Sequence, residues 1–523
     1  MYKLEFLFIM IIGCFLRIFY IGNIPGNKSM YVDEMLCGYE SWSILNYGFD
    51  YKGYPFPVYL PSWGTGMNAL QCYVQIPFIK VFGLNSFACR LPAAILGCVS
   101  LYAFFYICKK IKDENFALFA LFLLCVMPWH IMQSRWSIEC NFFSGFITIA
   151  FAILIKACEN HKFLPLAFLF FGLSLYAYAL PWTIMPILIL SITAYLLNKK
   201  SIHFDKWLII SFCILGILAL PLMLFIMVNM ELIPEIVTPF ISIPKLIHFR
   251  SDELIFSGKS LLRNTYNTLL CFMQQDDGYK QSCTPVFGLY YKFSNTFILI
   301  GIAVSLYDFW KSRKESVNYA FLYIALFFCS VIIGCTIEIS FYRMNMIHYP
   351  MTFFLALGLW RIIDFVKHES KTVIIFVYSL SCIFFMTYYV TYQDDIIASI
   401  YMDGCKDALA RIHQLENDEI ITDNGKINVL SWISFSSILF YDQYPTDEYI
   451  DEVIYEDFEV TGSRELAKSF GQYEFVPALD TNKAPGKNII YMYCLADTYL
   501  TDYFEKNNMK IEYYSNIGIA YAQ

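Results

Sequence analysis

The chain is poor in charged residues for its length. Asp, Glu, Lys and Arg make up 15% of its 523 residues, and 58% are hydrophobic. A soluble protein of this size would carry about a quarter charged residues. The deficit excludes an ordinary soluble enzyme and indicates a polytopic membrane protein. Basic residues are also outnumbered, since the net charge is −7, which argues against nucleic acid as a partner.

Several familiar motifs are absent. The sequence has no GxxxxGK[ST] and no GxGxxG between a strand and a helix, which excludes the usual nucleotide-phosphate loops. It has no CxxC or Cys/His cluster typical of structural zinc, and most of its 17 cysteines fall within apolar segments. Cys271 and Cys283 share one loop and could pair, but spacing alone leaves that open. We find no internal repeat, and we interpret the first apolar segment as an uncleaved anchor.

Long apolar runs are abundant. About eleven segments have the length and composition of membrane-spanning helices. They lie near 4–22, 87–108, 116–132, 141–157, 163–180, 182–198, 207–229, 293–310, 318–336, 346–364 and 372–392. The sequence therefore predicts an α-helical membrane protein with about eleven transmembrane helices.

Lysines and arginines cluster in alternate short loops, which the positive-inside rule places in the cytoplasm together with the amino terminus. These residues are Lys109, Lys110, Lys112, Lys156, Lys162, Lys199, Lys200, Lys206, Lys311, Arg313, Lys314, Arg361, Lys367 and Lys371. The long segments 23–86, 230–292 and 393–523 then lie outside. We expect a membrane domain over 1–392 and an extracytoplasmic domain over 393–523.

The outer segments carry their own periodic patterns. A helix is predicted from Asp33 to about Asn46, with Met35, Leu36, Tyr39, Trp42 and Leu45 on one apolar face. Residues 66–83 are apolar but contain Pro77, which predicts a broken pair of interfacial helices. The tail has β-like runs at 419–422 and 488–493 and a helical run at 406–415, which predict a small α/β domain.

The acidic pair Asp33-Glu34 follows the first span directly. Two adjacent carboxylates could simply cap the helix that begins there. Alternatively, one of them could act as a general base, because a carboxylate near lipid and beside another acid has a pKa raised toward a useful value.

Arg135 and Glu139 lie between the third and fourth spans, on the predicted outer side. Four residues apart, they would share one face of a helix. Such a pair could be only an ion pair at a helix start, which contributes little to stability. Ionisable groups at a span boundary are costly, however, and this favours a functional role.

A third polar group, Arg343, Asn345 and His348, precedes the tenth span. Arg343 could extend to the lipid headgroups or donate two hydrogen bonds to a phosphate. A lone histidine is more often structural than a ligand. The loop 230–292 adds basic residues, and a phosphate site could include Arg250, Lys259 and Arg263. Arg17, near the end of the first span, is expected to reach the headgroups.

The acidic and basic candidate site residues described above are all predicted on the outer face of the membrane, next to lipid. Such a site is suited to binding a polyprenyl-phosphate sugar donor. Its leaving group needs cationic stabilisation, its tail needs a membrane groove, and it needs no nucleotide fold. The chain resembles the GT-C integral-membrane glycosyltransferases, most closely the branch with protein O-mannosyltransferases and lipid A aminoarabinose transferases. The resemblance covers roughly residues 1–390 and rests on segments 32–53, 89–97, 128–139 and 342–350.

The resemblance implies inverting transfer of a hexose or pentose. Asp33 and Glu34 would be the catalytic acidic pair, with Asp33 as the general base. Glu139 would be a second acid. Some members bind a divalent metal such as Mg, Mn or Zn at these acids and others bind none, so a cofactor is left open. Arg135, Arg343 and the basic loop residues would hold donor phosphate, whereas we interpret Arg90 as structural.

The resemblance further implies a bacterial plasma-membrane enzyme that contacts membrane lipids. Its acceptor would be a protein, a polymer or a glycolipid. Two other hypotheses stay open from the sequence: a lipid or glycolipid transporter or flippase, and a non-catalytic scaffold. A carrier usually places its charges at mid-bilayer and has two related halves, neither of which the sequence indicates.

Overall fold

The structure, a computed structural model, describes residues 2–249, 258–314, 317–366, 370–417, 425–457 and 464–522. Helices α1 to α20 are, in chain order, Tyr2–Ile18, Val32–Tyr47, Leu70–Phe82, Ser86–Ile111, Glu114–Val126, Pro128–Arg135, Glu139–Glu159, Leu164–Leu175, Met185–Asn198, Lys206–Asn229, Gly258–Gln274, Asn295–Lys311, Ala320–Thr336, His348–Val366, Ser370–Tyr388, Asp394–Ile400, Cys405–Asn417, Phe435–Asp442, Thr446–Glu452 and Thr498–Lys506. Strands β1 to β11 are Tyr59–Leu60, Met67–Asn68, Ile236–Val237, Ser242–Ile243, Lys426–Val429, Ile454–Tyr455, Ala467–Phe470, Tyr473–Phe475, Ile489–Cys494, Lys510–Tyr514 and Ile517–Tyr521.

A helix occupies each segment for which the sequence predicts a span. Among the described helices, six are long and apolar enough to cross a bilayer, or seven if α5 and α6, which meet at 59°, form one broken span. The helices α8, α9 and α13 are apolar but shorter, so the count of about eleven spans is not confirmed. The long apolar helices indicate an integral membrane protein.

Arg17 does not reach the headgroups, contrary to the prediction. It is fully buried, and its guanidinium donates to His130 Nδ1 at 2.8 Å and to the carbonyl oxygens of Leu124 and Cys125 at 3.0 and 3.2 Å. Pro128 lacks an N–H, so the Leu124 carbonyl loses its usual partner at the break between α5 and α6. Arg17 satisfies that end of α5, which explains why burial is tolerated.

The predicted helix after the first span is present as α2. Its carboxylate cap is Glu34, which accepts a hydrogen bond from the Tyr31 N–H at 3.1 Å. The apolar face predicted from the sequence packs into the cluster shared with the carboxyl-terminal region. The interfacial pair predicted over 66–83 is wrong: α3 is one helix that contains Pro77, because packing against α2 outweighs the lost hydrogen bond.

The carboxyl-terminal region contains a seven-stranded mixed sheet in the order β10-β11-β9-β5-β8-β7-β6. The predicted helix at 406–415 appears as α17 and the predicted strand at 488–493 as β9. The β-like run at 419–422 lies outside the described residues. β5 pairs in parallel with β8 and β9, and the other pairings are antiparallel.

Helix α2 lies between the membrane helices and this sheet region. The Tyr39 hydroxyl donates to the Tyr444 carbonyl at 2.5 Å. A Cβ on Gly38 would lie 2.8 Å from both the Cys89 Sγ and a ring carbon of Phe440. This close approach from two sides needs a glycine, and it fixes the helix that begins beside Asp33.

Cys271 and Cys283 are free thiols. The Cys283 Sγ lies 3.3 Å from an Asp276 oxygen and 3.1 Å from an Asp277 oxygen. Asp277 also accepts a hydrogen bond from the Phe341 N–H at 2.7 Å. The loop after α11 is thereby tied to the segment that carries Arg343.

Candidate active site

A cavity of about 550 Å³ lies where segments 31–71, 136–140, 178–249 and 337–343 meet the carboxyl-terminal region. Among the described residues, its charged lining side chains are Asp33, Glu139, Arg343 and Arg464. Its walls are rich in aromatic residues, namely Tyr31, Tyr59, Trp63, Trp136, Tyr178, Trp182, Phe249 and Tyr342. A concave aromatic cavity with a few convergent charges is typical of a small-molecule site.

Asp33 occupies the first turn of α2 and is half-buried at the cavity wall. Its neighbour Tyr31 is also half-buried. Burial raises the pKa of Tyr31, the Asp33 carboxylate raises it further, and the positive charge of Arg464 opposes both effects. A half-buried carboxylate beside the open cavity has room for a reacting group within hydrogen-bond distance.

Glu34 is not among the residues that line the cavity. It is fully buried, and it forms two hydrogen bonds with Arg90, at 3.1 Å to Nε and 3.0 Å to Nη2. It also accepts from the Ser137 N–H at 2.8 Å. These contacts fasten α2 to the start of α4 and to the segment before α7.

Glu139 is the first residue of α7 and lines the cavity. The helix dipole favours a carboxylate at this position. The carboxylate also accepts a hydrogen bond from the Asn68 N–H at the end of β2. The structure therefore brings Asp33 and Glu139, which lie on different helices, to one cavity.

Arg135 and Glu139 do not share a helix face. Helix α6 ends at Arg135 and α7 begins at Glu139. The buried Arg135 guanidinium donates to the carbonyl oxygens of Leu16, Phe19 and Ile24 at 3.2, 2.9 and 3.0 Å. It caps the end of α1, where helix carbonyls lack partners.

Arg343 lines the cavity and lies 5.9 Å from the centre of the Tyr342 ring. Tyr342 contacts the Trp136 ring at 6.1 Å, and Trp136 contacts the Tyr31 ring at 5.6 Å. These three rings form a continuous wall, which we call the aromatic wall. Tyr178 lines the same cavity as Arg343 and Glu139.

The other predicted phosphate ligands lie elsewhere. Asn345 and His348 are fully buried; Asn345 donates to the Cys140 carbonyl, and His348 shares a hydrogen bond with the Tyr290 hydroxyl. Lys259 and Arg263 are exposed on α11 and are not among the cavity residues. Arg250 lies outside the described residues.

The protein is similar over nearly its whole length to ArnT from Cupriavidus metallidurans. The crystal structure of ArnT bound to undecaprenyl phosphate matches with a TM-score of 0.57 at 10% identity, covering 99% of this chain and 97% of that one. Apo ArnT matches with a TM-score of 0.55 at 11% identity and the same coverage. The chain has the GT-C glycosyltransferase fold. The resemblance seen in the sequence is confirmed at the level of the fold.

A second GT-C neighbour is the archaeal oligosaccharyltransferase AglB from Archaeoglobus fulgidus, in complex with an inhibitory peptide and a dolichol-phosphate. It is 12% identical, with a TM-score of 0.49, and the match covers 85% of this chain and 63% of that one. No family model and no curated protein matches the sequence.

The GT-C resemblance leaves a divalent metal at Asp33 and Glu139 open. Among the described residues, the group of three ligands close enough to hold an ion is Asp276, Asp277 and Cys283, whose ligand atoms lie within 4.8 Å of one another. Among the described residues, Asp33 and Glu139 belong to no group of three such ligands, and two carboxylates alone are a weak donor set for Mg²⁺ or Zn²⁺.

Arg464 is the charged cavity residue, among those described, that the sequence did not predict. It precedes β7 in the carboxyl-terminal region, within a polar stretch that contains no recognisable motif. No pattern in the tail marks it, since its position in the cavity depends on how the GT-C membrane helices and the sheet region pack together.

Proposed function

We propose that the protein is a membrane glycosyltransferase that moves a sugar from a polyprenyl-phosphate donor to an acceptor, with inversion at the anomeric carbon. One observation carries the proposal: Asp33, Glu139 and Arg343 come from three distant parts of the chain and line one cavity of about 550 Å³. A cavity of that volume accommodates a sugar phosphate together with an acceptor group.

Asp33 acts as the general base in this proposal. It accepts the proton of the acceptor group as the acceptor atom forms a bond to the anomeric carbon. The bond between that carbon and the phosphate oxygen breaks at the same time, and its electron pair leaves with the polyprenyl phosphate. Glu139, the first residue of α7, lines the same cavity as Asp33. In this proposal it orients the acceptor or the sugar hydroxyls.

Arg343 binds the donor phosphate and stabilises the charge that develops on the leaving group. A guanidinium suits this role because it donates paired hydrogen bonds to phosphate oxygens. The cavity is also lined by Ile226 and Met230 at the end of α10, a helix that exposes most of its apolar surface. That edge provides a route by which a polyprenyl tail could lie in lipid.

Two further considerations support this function. ArnT, which shares the fold, was crystallised with undecaprenyl phosphate. The positive-inside pattern supports an orientation in which the amino terminus is in the cytoplasm and the cavity opens on the outer face of the membrane. Nucleotide donors are scarce there, whereas lipid-phosphate donors are accessible.

The remaining predicted site residues receive structural roles. Glu34 pairs with Arg90, Arg135 caps α1, and Asn345 and His348 are buried in contacts with other helices. We assign no phosphate to Lys259 or Arg263, since neither lines the cavity.

The deciding experiment supplies purified protein in lipid nanodiscs with radiolabelled polyprenyl-phosphate sugars. We expect release of free polyprenyl phosphate and appearance of the label in a second product. In sealed liposomes, movement of intact donor between leaflets without release would instead identify a flippase. If no donor gives either release or movement, the transfer proposal is refuted and the protein is a non-catalytic scaffold.

A further inference from the structure

The segment 464–466, which precedes β7, brings a second arginine to the cavity. Arg464 is exposed and is one of the cavity lining residues. The backbone N–H of the next residue, Glu465, donates to the Trp63 carbonyl at 2.8 Å, and Trp63 also lines the cavity. The carboxyl-terminal region therefore forms part of the cavity wall.

A buried ion pair fixes the position of segment 464–466. Glu465 is 7% exposed and forms an ion pair with Lys52 of segment 23–86. Lys52 in turn lies 3.5 Å from the centre of the Tyr455 ring. Glu465 is therefore anchored through both its backbone and its side chain. This limits the positions that the Arg464 side chain can adopt.

Gly64 provides an independent sign of this close approach. Its φ is +70°, and a Cβ there would lie 2.9 Å from the Glu465 Cβ. A positive φ of this size favours glycine. The segment 23–86 therefore contacts the residues next to Arg464 at a distance that leaves no room for a side chain at Gly64.

The two cavity arginines act on different parts of the aromatic wall. Burial raises the pKa of Tyr31, and the cation that opposes this is Arg464. Burial also raises the pKa of Tyr342, and the cation that opposes it is Arg343. Arg343 and Arg464 also both line the cavity and come from distant parts of the chain. The cavity therefore offers two guanidinium groups, and a single phosphate held by Arg343 uses only one of them.

We propose that the carboxyl-terminal domain supplies Arg464 as a second anion-binding residue of the cavity, which binds an anionic oxygen group of a substrate beside Tyr31. The anion is either the donor phosphate or an acidic group on the acceptor. This inference rests on the proposed sugar transfer and deepens it. It makes the carboxyl-terminal domain part of the active site, because a guanidinium at a cavity wall attracts oxyanions electrostatically and donates paired, charge-assisted hydrogen bonds to them.

The test compares Arg464→Gln with Lys468→Gln, which removes the same charge from an exposed position on β7 of the same domain. The first probe is undecaprenyl phosphate, bound to the full-length protein in nanodiscs without any transfer. The second probe is glycerol 3-phosphate, with glycerol as its neutral counterpart, bound to protein already saturated with undecaprenyl phosphate.

We expect Arg464→Gln to raise one of the two dissociation constants about ten-fold or more, the loss typical of a charge-assisted hydrogen bond. If Arg464→Gln raises the dissociation constant for undecaprenyl phosphate, Arg464 binds the donor phosphate. Weaker binding of glycerol 3-phosphate alone assigns it to the acceptor. Arg464→Lys should recover part of the loss, since it retains the charge but not the paired donors.

If Arg464→Gln changes both constants by less than about two-fold relative to Lys468→Gln, the inference is wrong. Arg343→Ala separates this failure from that of the transfer proposal. Weakened undecaprenyl phosphate binding by Arg343→Ala, with no effect of Arg464→Gln, overturns only the role of Arg464. A wild-type protein that neither binds undecaprenyl phosphate nor transfers sugar overturns both.

Discussion

Glu34 and Arg90 form an ion pair in which both side chains have no solvent exposure. Two hydrogen bonds join them, and the Arg90 guanidinium also donates to the carbonyl oxygens of Pro25 and Ser29. The pair connects the start of α2 to the start of α4. It holds the first turn of α2, and with it Asp33, against the membrane helices.

Removing one partner of this pair should destabilise the protein strongly. Arg90→Met leaves the Glu34 charge buried without its partner, and we expect a loss of about 3–5 kcal/mol. Thermal unfolding in detergent would measure it. Arg361→Met is the matched control, because Arg361 pairs with Asp308 at an exposed site, where ion pairs contribute about 0–1 kcal/mol. Equal losses in the two variants would contradict a special role for the buried pair.

Asp33→Asn should abolish sugar transfer and leave the unfolding temperature nearly unchanged, since Asp33 is half-buried at the cavity wall and Asn has the same shape. The amide cannot accept the proton of the attacking group. Product formation from a radiolabelled donor measures the effect, and Glu231→Gln, an exposed change in segment 230–292, is the control. Normal transfer by Asp33→Asn would remove this residue from the role of base.

Arg343→Ala should raise the donor KM about ten-fold or more and change the acceptor KM less, because it removes a phosphate ligand. Arg263→Ala tests the alternative given by the sequence, in which basic residues of segment 230–292 bind the phosphate. Arg263 is exposed on α11, so its removal should leave the donor KM within about two-fold of wild type. An effect of Arg343→Ala confined to the acceptor KM would argue against phosphate binding.

Stability should decrease between about pH 4 and pH 7 because of Asp50. This residue is fully buried, and burial raises its pKa to about 7. In the unfolded chain the pKa returns to its ordinary value near 3.9. The folded protein therefore binds the extra proton, and its contribution to stability is complete below about pH 4 and lost as pH rises through 7.

Asp50→Asn should flatten this pH dependence and raise the unfolding temperature at pH 8. The Oδ1 atom that accepts from the Lys52 and Tyr54 N–H groups at 2.9 Å is retained in the amide. The difference of about 3 between the two pKa values corresponds to about 4 kcal/mol at pH 8, which is the upper limit of the expected gain. Unfolding temperatures from pH 4 to 8 would test it, and a wild-type profile that rises across this window would contradict the assignment.

The helical segments could be predicted well from the sequence. Apolar runs and the periodic face of α2 have local causes, namely hydrophobic burial and helix geometry. The count of spans was less predictable, because whether an apolar helix crosses the bilayer depends on its length in the folded bundle. Pro77 and Pro128 illustrate this, since one lies within a continuous helix and the other separates two helices.

The site could be predicted only in part. Asp33, Glu139 and Arg343 were singled out by residue type and by their common side of the membrane. Glu34, Arg135 and His348 were singled out on the same grounds, yet the fold uses them to join buried elements. A buried ion pair and a catalytic acid look alike in sequence, because both are charged residues in apolar surroundings.

The sequence by itself determined that the chain is a helical membrane protein whose polar chemistry gathers in a few loops, since composition and periodicity depend only on local residue preferences. Only the tertiary structure decided which charges meet in the cavity and which are consumed as caps and ion pairs. The physical reason is that a charge costs free energy wherever it is buried. Its role therefore depends on which partner the rest of the chain brings to it, as Arg464 in the cavity and Arg17 in the core demonstrate.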